Sequence, residues 1–177
     1  MLEEVGGEKA FMALLEVSLT RTDVTRTDFP QLIDFDLKHM VTGSALGAAE
    51  APPPLTLEEL ETAKERGDEL YWLLSSDGAR AGYYWIEQRT DCLFLSAVVI
   101  SSSHRNQGLG RQILKWVDEA ARVKRISKCA LAVAPENAPA LHLYLSVGYR
   151  IVRTDTDYFG SICPNKVRLI LEKNLQF

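Results

Sequence analysis

The sequence predicts a mixed α/β fold whose central sheet contains both parallel and antiparallel strands. Residues 93–100 (LFLSAVVI) are apolar on both faces, as is typical of a central strand. They are followed by a glycine-containing loop, an amphipathic segment near residues 110–125 and a second apolar run at 129–134 (CALAVA). A strand, a helix and a strand in this order are expected to form a right-handed crossover between parallel neighbours. Residues 70–88 instead predict an antiparallel hairpin, because two β-rich segments flank an Asp-Gly turn.

Length and composition indicate one soluble globular domain. The chain has 177 residues, of which 46% are hydrophobic and 25% charged. We expect residues 1–15 to form an N-terminal extension, helical or frayed, and residues 16–177 to form a single domain. No apolar run is as long as the roughly 18 residues that span a bilayer, so no membrane partner is expected.

The expected compartment is the cytoplasm. The acidic start, MLEEVGGEKAFMALLE, lacks the basic region of a signal peptide. Cys92, Cys129 and Cys163 are odd in number and widely spaced, without the pairing of a metal site. We expect Cys92 and Cys129 to pack as small hydrophobic residues in a reducing environment, and no metal ion to be bound.

The first elements of the domain are predicted from caps and apolar spacing. A strand is expected near residues 16–20. A helix is expected over residues 27–40, with Thr27 or Asp28 as its cap and Pro30 in its first turn.

A second helix follows a proline-containing loop at residues 43–54, which cannot continue a helix. Thr56 is predicted to cap this second helix, with Glu59 as the partner in a capping box. Gly67 is predicted to end it.

The C-terminal part predicts one more helix and two strands. The helix is expected over residues 138–147, and the strands near 149–155 and 166–173. These closing strands could form the edge of a homodimer, although the sequence leaves the oligomeric state open.

Charge is unevenly distributed along the chain. The net charge is −4, which argues against nucleic acid as the main partner. Residues 105–128 carry seven basic and two acidic side chains, so this segment has a charge of +5 and the remainder −9. This segment is either a solvated helix face or a local site for a polyanion.

Two glycines lie where the helix near residues 110–125 begins, within SSHRNQGLGRQIL at 102–114. Unpaired backbone N–H groups and the helix dipole favour an anion at such a place. Gly108 and Gly110 would leave those donors uncovered, as a pyrophosphate requires, although a tight turn would also explain them. The loop lacks the Gly-Lys-Ser/Thr of a P-loop, and Ile113 replaces the third glycine of the dinucleotide fingerprint.

Two separate motifs resemble the GNAT (N-acetyltransferase) superfamily. The first is Arg105-x-x-Gly108-x-Gly110, which resembles the family's loop for the pyrophosphate of acyl-coenzyme A. The second lies in NAPALHLYLSVGY and consists of Asn137, Ala140, Leu143-Tyr144 and Gly148-Tyr149. The resemblance covers residues 16–173 and implies a GNAT-like, largely antiparallel sheet with a parallel β–α–β unit splayed around acyl-CoA and flanked by helices.

The resemblance implies acetyl-CoA as the acyl donor and assigns residues to it. The backbone of Val98, Val99 and Ile100 would pair with the pantetheine arm as an added strand. The pyrophosphate would be held by the amides of Asn106, Gln107, Gly108, Leu109, Gly110 and Arg111, with charge from Arg105 or Arg111. Asn137 would bind the pantetheine or thioester region, or serve only as a helix cap.

Tyr144 is implied to be the general acid that protonates the departing thiolate. An ordinary core aromatic on an apolar helix face is the alternative role for it. With reference pKa values near 8.5 for a thiol and 10 for a phenol, this transfer is uphill by roughly 2 kcal/mol. Burial of the sulfur would reduce the difference.

The general base is less well defined. Ala132 occupies the place where some relatives have a glutamate. The candidates that remain are Glu87, which we favour, Asp91, Ser96 or a water molecule. An α-amine with a pKa near 8 needs only about 1.4 kcal/mol to lose its proton at pH 7, against about 4.6 for a lysine, so a weakly basic acceptor is favoured.

The resemblance therefore implies an enzyme that moves an acetyl group to an amine of a small molecule or peptide by direct attack in a ternary complex. A non-catalytic module that binds or senses acyl-CoA is the alternative. We expect the acceptor pocket to be formed by the first two helices, their loop and the final hairpin, which contains Tyr158, Phe159 and Cys163-Pro164. The sequence does not identify the acceptor amine.

Overall fold

The computed structural model describes residues 19–41, 53–162 and 164–177. These residues form seven strands and four α-helices. In chain order they are β1 (Thr20–Asp23), α1 (Phe29–Asp36), α2 (Leu57–Arg66), β2 (Glu69–Leu74), β3 (Arg80–Gln88), β4 (Leu93–Ile100), α3 (Leu109–Val123), β5 (Lys128–Val133), α4 (Ala138–Ser146), β6 (Arg150–Asp155) and β7 (Arg168–Asn174). Among the described residues, no helix is long and apolar enough to cross a membrane.

All strands belong to one sheet with the order β1-β2-β3-β4-β5-β7-β6. Every neighbouring pair is antiparallel except β4 and β5, which are parallel and connected through α3. The predicted fold class and the predicted β4–α3–β5 unit are therefore confirmed.

The parallel ladder is short. It joins Leu93 to Cys129, Phe94 to Ala130 and Leu95 to Leu131, and then ends. β4 continues to Ile100 in register with β3, while β5 continues along β7. The two half-sheets, β1–β4 and β5–β7, therefore separate beyond residues 95 and 131.

A bulge in β4 lies at the point of separation. Trp85 pairs with Ala97, but the next residue, Ile86, pairs with Leu95, so Ser96 is the extra residue. The bulge breaks the alternation of side chains: Leu95 packs with the core on one face, whereas Ala97 packs with the core on the other.

The two faces of the sheet are covered by different helices. The apolar stripe of α3 is buried on one face, together with β4, β5 and Tyr149. On the opposite face, α1 and α2 bury Phe29, Leu32 and Leu60 against Trp72. These three helices thus pack an amphipathic face on the sheet, which is the arrangement expected for this fold class.

The first helix differs from its prediction at both ends. The α-helical part of the predicted 27–40 segment is only Phe29–Asp36, and Leu37–Val41 form a wider π-helical turn. Asp28, one of the two predicted caps, directly precedes the α-helix, but its side chain makes no cap hydrogen bond there, and the 3-10 turn that leads into the helix begins at Thr25. The Thr25 amide donates to the Asp28 carboxylate at 2.9 Å, so Asp28 closes a turn that begins three residues earlier.

Other local predictions are confirmed. The Glu59 amide donates to Thr56 Oγ1 at 3.2 Å and the Thr56 amide donates to Glu59 at 2.8 Å, which is the predicted capping box. Gly67 ends α2 in the left-handed region. Cys92 and Cys129 are buried.

The first strand is displaced from its prediction. It lies at Thr20–Asp23, later than residues 16–20. The predicted extension at 1–15, the loop near 43–52 and Cys163 lie outside the described residues.

Candidate active site

The loop before α3 presents main-chain donors. Asn106 and Gly108 have φ angles of +60° and +80°. Gly108 is the residue that precedes the helix, and no side chain caps it. The first helical bond runs from the Gln112 amide to the Gly108 carbonyl, so the amides of residues 109–111 have no partner within the helix. Left-handed residues next to a helix N-terminus form the kind of concave amide cluster that binds anions.

The two glycines of the loop are required for different reasons. Gly108 has open space around a hypothetical Cβ, and its positive φ explains the glycine. A Cβ at Gly110 would lie 2.7 Å from Leu143 Cδ2, so this glycine permits close packing of α3 on α4. Packing is therefore sufficient to explain why position 110 is a glycine, whereas the sequence analysis attributed this glycine to exposure of main-chain amides.

The two arginines of the loop have partners inside the protein. Arg105 donates to the carbonyls of Ile100 at 3.1 Å and His39 at 3.3 Å. Arg111 donates to the Ser146 hydroxyl at 3.0 Å. Arg105 thus connects the end of β4 to the turn after α1, and its predicted contribution of charge to a phosphate stays a prediction.

A cavity of about 320 Å³ lies where β4 and β5 separate. Its walls come from both half-sheets, from the end of α1 and the turn after it, from Pro53, Leu55 and the first turn of α2, from Tyr158 and Phe159, and from α4. The lining residues are Asp36, Met40, Pro53, Leu55, Glu59, Tyr83, Trp85, Glu87, Leu95, Ser96, Ala97, Val98, Ala132, Val133, Ala134, Asn137, Tyr144, Tyr158, Phe159 and Arg168.

Several residues predicted separately from the sequence meet in this cavity. Val98, Glu87, Asn137 and Tyr144 all line it. A larger and more open groove of about 520 Å³ lies along the outside of α1 and β3. None of the motif residues lines that groove, so the smaller cavity is the better candidate for the active site.

Tyr144 projects from α4 into the cavity and is half-buried. Its hydroxyl donates to none of the residues that the structure describes, and its ring lies 6.1 Å from that of Tyr149. Burial raises the pKa of Tyr144 to about 12, so the hydroxyl keeps its proton across the physiological range. A proton donor facing the cavity is therefore available.

Asn137 begins α4. Its side-chain oxygen accepts the Ala140 amide at 3.3 Å, so the helix-cap role is real. The residue also lines the cavity, and its predicted role in binding a ligand stays a prediction. The two roles are compatible.

The predicted base candidates are separated by the structure. Glu87 lines the cavity and accepts a short hydrogen bond from Ser96. Asp91 pairs instead with Lys128 at 2.5 Å, and it does not line the cavity. Glu87 and Ser96 are therefore the protein groups that stay in consideration.

The far end of the cavity contains a buried carboxylate that the sequence did not single out. Asp36 accepts hydrogen bonds from the Tyr83 hydroxyl at 2.5 Å and the Leu55 amide at 3.1 Å. Burial raises its pKa. The signal in the sequence was an acid between two apolar residues, Phe35 and Leu37, on a helix predicted to pack against the sheet.

The predicted aromatic residues of the final hairpin also line the cavity. Tyr158 and Phe159 do so as expected, and the Arg168 guanidinium lies 5.0 Å from the Phe159 ring centre. Arg168 is 94% buried, although it occupies a polar position in the alternation of β7. Its inward position was not predicted.

Comparisons with known proteins agree with this arrangement. The sequence model described as the acetyltransferase (GNAT) family matches residues 38–149. Streptothricin acetyltransferase from Streptomyces lavendulae is 24% identical over 130 residues, covering 66% of this chain and 69% of that protein.

Solved structures share the fold. The ribosomal-protein-S18-alanine N-acetyltransferase from Escherichia coli superposes with a TM-score of 0.71 at 16% identity, covering 90% of this chain and 95% of the other. A GNAT family acetyltransferase from Elizabethkingia anophelis with acetyl-CoA bound has a TM-score of 0.66 at 19% identity, covering 89% and 98%. Because the family match spans more than half of the sequence and includes both motifs, this chain belongs to the GNAT acetyltransferase family.

Proposed function

We propose that this protein transfers the acetyl group of acetyl-CoA to an amine of a small molecule or peptide. The amine attacks directly in a ternary complex, without an acetylated enzyme. The observation that carries the proposal is the cavity at the separation of β4 and β5, which is lined by Glu87 from β3, by Asn137 at the cap of α4 and by Tyr144 within that helix.

The donor is held mainly by the backbone. The open edge of β4 at Val98, Val99 and Ile100 offers ladder groups to the pantetheine arm. The amides from Asn106 through Gln107, Gly108, Leu109 and Gly110 to Arg111 bind the pyrophosphate. Asn137 binds the donor nearer to its thioester. The bound thioester supplies an activated acyl group, and the protein supplies its orientation.

Tyr144 acts as the general acid. With a pKa of about 12 against about 8.5 for a free thiol, proton transfer is uphill by about 5 kcal/mol. The same burial that raises the tyrosine pKa disfavours a thiolate in the cavity and reduces this difference. Closure of the site over the acyl group is thus required for Tyr144 to be effective.

Glu87 acts as the general base. It belongs to strand β3, and its side chain lines the cavity. A carboxylate is a weak base for a fully protonated lysine, so the site favours acceptors with weakly basic amines. Because one relative is a streptothricin acetyltransferase, streptothricin is an acceptor to include in a screen.

Release of the free thiol with a panel of amines tests this proposal. The panel should include α-amines, lysine-type amines and streptothricin, with acetyl-CoA as donor. We expect thiol release with at least one α-amine and weaker release with lysine. Clear preference for lysine would contradict the choice of acceptor.

Titration calorimetry separates the remaining alternatives. Binding of acetyl-CoA without thiol release for any amine would favour a non-catalytic acyl-CoA module, in which Ala132 in place of a glutamate would be one sign of lost turnover. Binding of ATP but not of acetyl-CoA at millimolar concentration would overturn the proposal altogether.

A further inference from the structure

We propose that Ser96 relays the proton of the acceptor amine to Glu87, so that the bulge in β4 is part of the catalytic apparatus. This inference rests on the proposed acetyl transfer. It adds a hydroxyl group to the reaction and explains how a carboxylate set back in β3 can serve as the base.

The bulge places Ser96 where the relay needs it. Ser96 is the extra residue opposite Ile86, and it lies where β4 leaves β5. Its side chain lines the cavity together with that of Glu87, on the face that also carries Trp85. Ser96 Oγ donates directly to Glu87 Oε1. Glu87 is only 17% exposed, so Ser96 provides a path from the cavity to its carboxylate.

The carboxylate is held in a fixed orientation by its other neighbours. Arg89 donates to Glu87 Oε2 from Nε at 3.1 Å and from Nη2 at 3.0 Å. Arg66 Nη2 lies 3.7 Å from Oε1 and is itself held by Asp68. Oε2 is thus held by Arg89, whereas Oε1 accepts the serine hydroxyl and has Arg66 nearby. Among the described residues, Tyr158 is a further titratable neighbour of Glu87.

The relay is balanced within the transfer reaction. The amine nitrogen forms a bond to the acyl carbon, and the carbon–sulfur bond breaks. Before this attack the protonated amine loses one proton to Ser96 Oγ while Ser96 passes its own proton to Glu87 Oε1, and during the attack the nitrogen releases its second proton to solvent. The sulfur receives a proton from Tyr144, and exchange with solvent afterwards returns Glu87 to its anionic form and Tyr144 to its neutral form.

Substitution of Ser96 tests the relay. With an amine that the wild type acetylates, Ser96→Ala should lower kcat about 10²-fold while the Kd for acetyl-CoA is unchanged. Ser96→Thr keeps the hydroxyl and should recover most of the lost rate. The loss in Ser96→Ala should shrink as pH rises from 7 to 9.5, because a larger fraction of the acceptor is then already deprotonated. A purely structural defect would not depend on pH in this way.

A double-mutant cycle with Glu87→Gln makes the test independent of a single variant. Glutamine can still accept the serine hydrogen bond but cannot take its proton. If both residues act in one relay, Ser96→Ala combined with Glu87→Gln should be no slower than either single variant.

Ser75→Ala is the matched control, because Ser75 donates to Asp77 at 2.6 Å in an exposed turn. It should keep wild-type kcat. Wild-type kcat in Ser96→Ala, equal losses at all pH values, or multiplicative losses in the double variant would each overturn the relay. Absence of thiol release from the wild type with every amine would instead count against the proposed function.

Discussion

The loop before α3 and the cavity between the half-sheets are built from different groups. The loop offers main-chain amides, and its residues from Asn106 to Gly108 are exposed. The cavity is lined by side chains from both half-sheets and from loops far apart in sequence. A ligand bound by backbone amides depends on loop conformation, whereas chemistry in the cavity depends on individual side chains. Substitutions in the two regions should therefore have separable effects.

Removal of the Tyr144 hydroxyl should give the largest effect and confine it to turnover. Tyr144→Phe is expected to lower kcat by about 10²–10⁴-fold, because it removes the proposed general acid. The Kd for acetyl-CoA should change little, since this hydroxyl makes no hydrogen bond within the described structure. Steady-state kinetics and calorimetry on the same preparation measure both quantities. Wild-type turnover would refute the role of Tyr144.

Replacement of Gly108 by alanine should have the opposite effect to Tyr144→Phe, with weaker binding of acetyl-CoA and little change in turnover. Gly108→Ala opposes the left-handed backbone of the loop, so we expect about a tenfold weaker Kd for acetyl-CoA with nearly unchanged kcat at saturation. Gly78 is a matched control: its φ is +81° and its Cβ would also meet open space, but it lies in the β2–β3 turn.

Both alanine variants should lose about 1 kcal/mol of stability in urea unfolding. Only Gly108→Ala should lose donor affinity. An equal loss of affinity in Gly78→Ala would mean that general destabilisation explains the effect, and the distinction between loop and cavity would then fail.

The buried tyrosine of the cavity should leave a signature at high pH. The folded-state pKa of Tyr144 is raised to about 12 from about 10 in the unfolded chain, so the folded state binds more protons above pH 10. Its contribution to stability is therefore complete below pH 10 and is lost as pH rises through 12.

The difference in unfolding free energy between wild type and Tyr144→Phe should change by at most about 1.4 kcal/mol between pH 8 and 11. Chemical denaturation at a series of pH values measures it. A difference that stays constant over this interval would show that the hydroxyl is exposed to water in the folded protein.

The smallest effect is expected at Gly110, which belongs to the loop motif but is explained by packing. In Gly110→Ala, the gain in helix propensity and the contact with Leu143 should nearly cancel, leaving a stability change within about 1 kcal/mol. In a Leu143→Ala background the same substitution should become stabilising. A large loss of acetyl-CoA affinity in that background would indicate that Gly110 contributes to acetyl-CoA binding.

The parts of the fold that were predicted correctly depend on neighbours in sequence. The β4–α3–β5 unit followed from two apolar runs and the helix between them, and the ends of α2 followed from Thr56 and Gly67. Such signals lie within a few residues of each other. The loop before α3 was predictable for the same reason, since its amides and glycines are consecutive.

The parts that were missed depend on contacts between distant segments. β1 has four exposed residues without apolar alternation, and only the edge of β2 defines it. The reason for Gly110 is Leu143, which lies on another helix. The bulge at Ser96 is visible only against β3, and the cavity joins Asp36 to Arg168 across most of the chain. Periodicity and capping rules contain no information about such pairings.

The short ladder between β4 and β5 has a consequence for the folded protein as a whole. In the part of the chain that the structure describes, the backbone ladder between the half-sheets comprises three residue pairs. A donor bound in the gap would contact both halves in the folded chain and neither in the unfolded one. By mass action, a donor at a hundred times its Kd would add about 2.7 kcal/mol to the free energy of unfolding. The lifetime of this enzyme in a cell would then follow the supply of its own substrate.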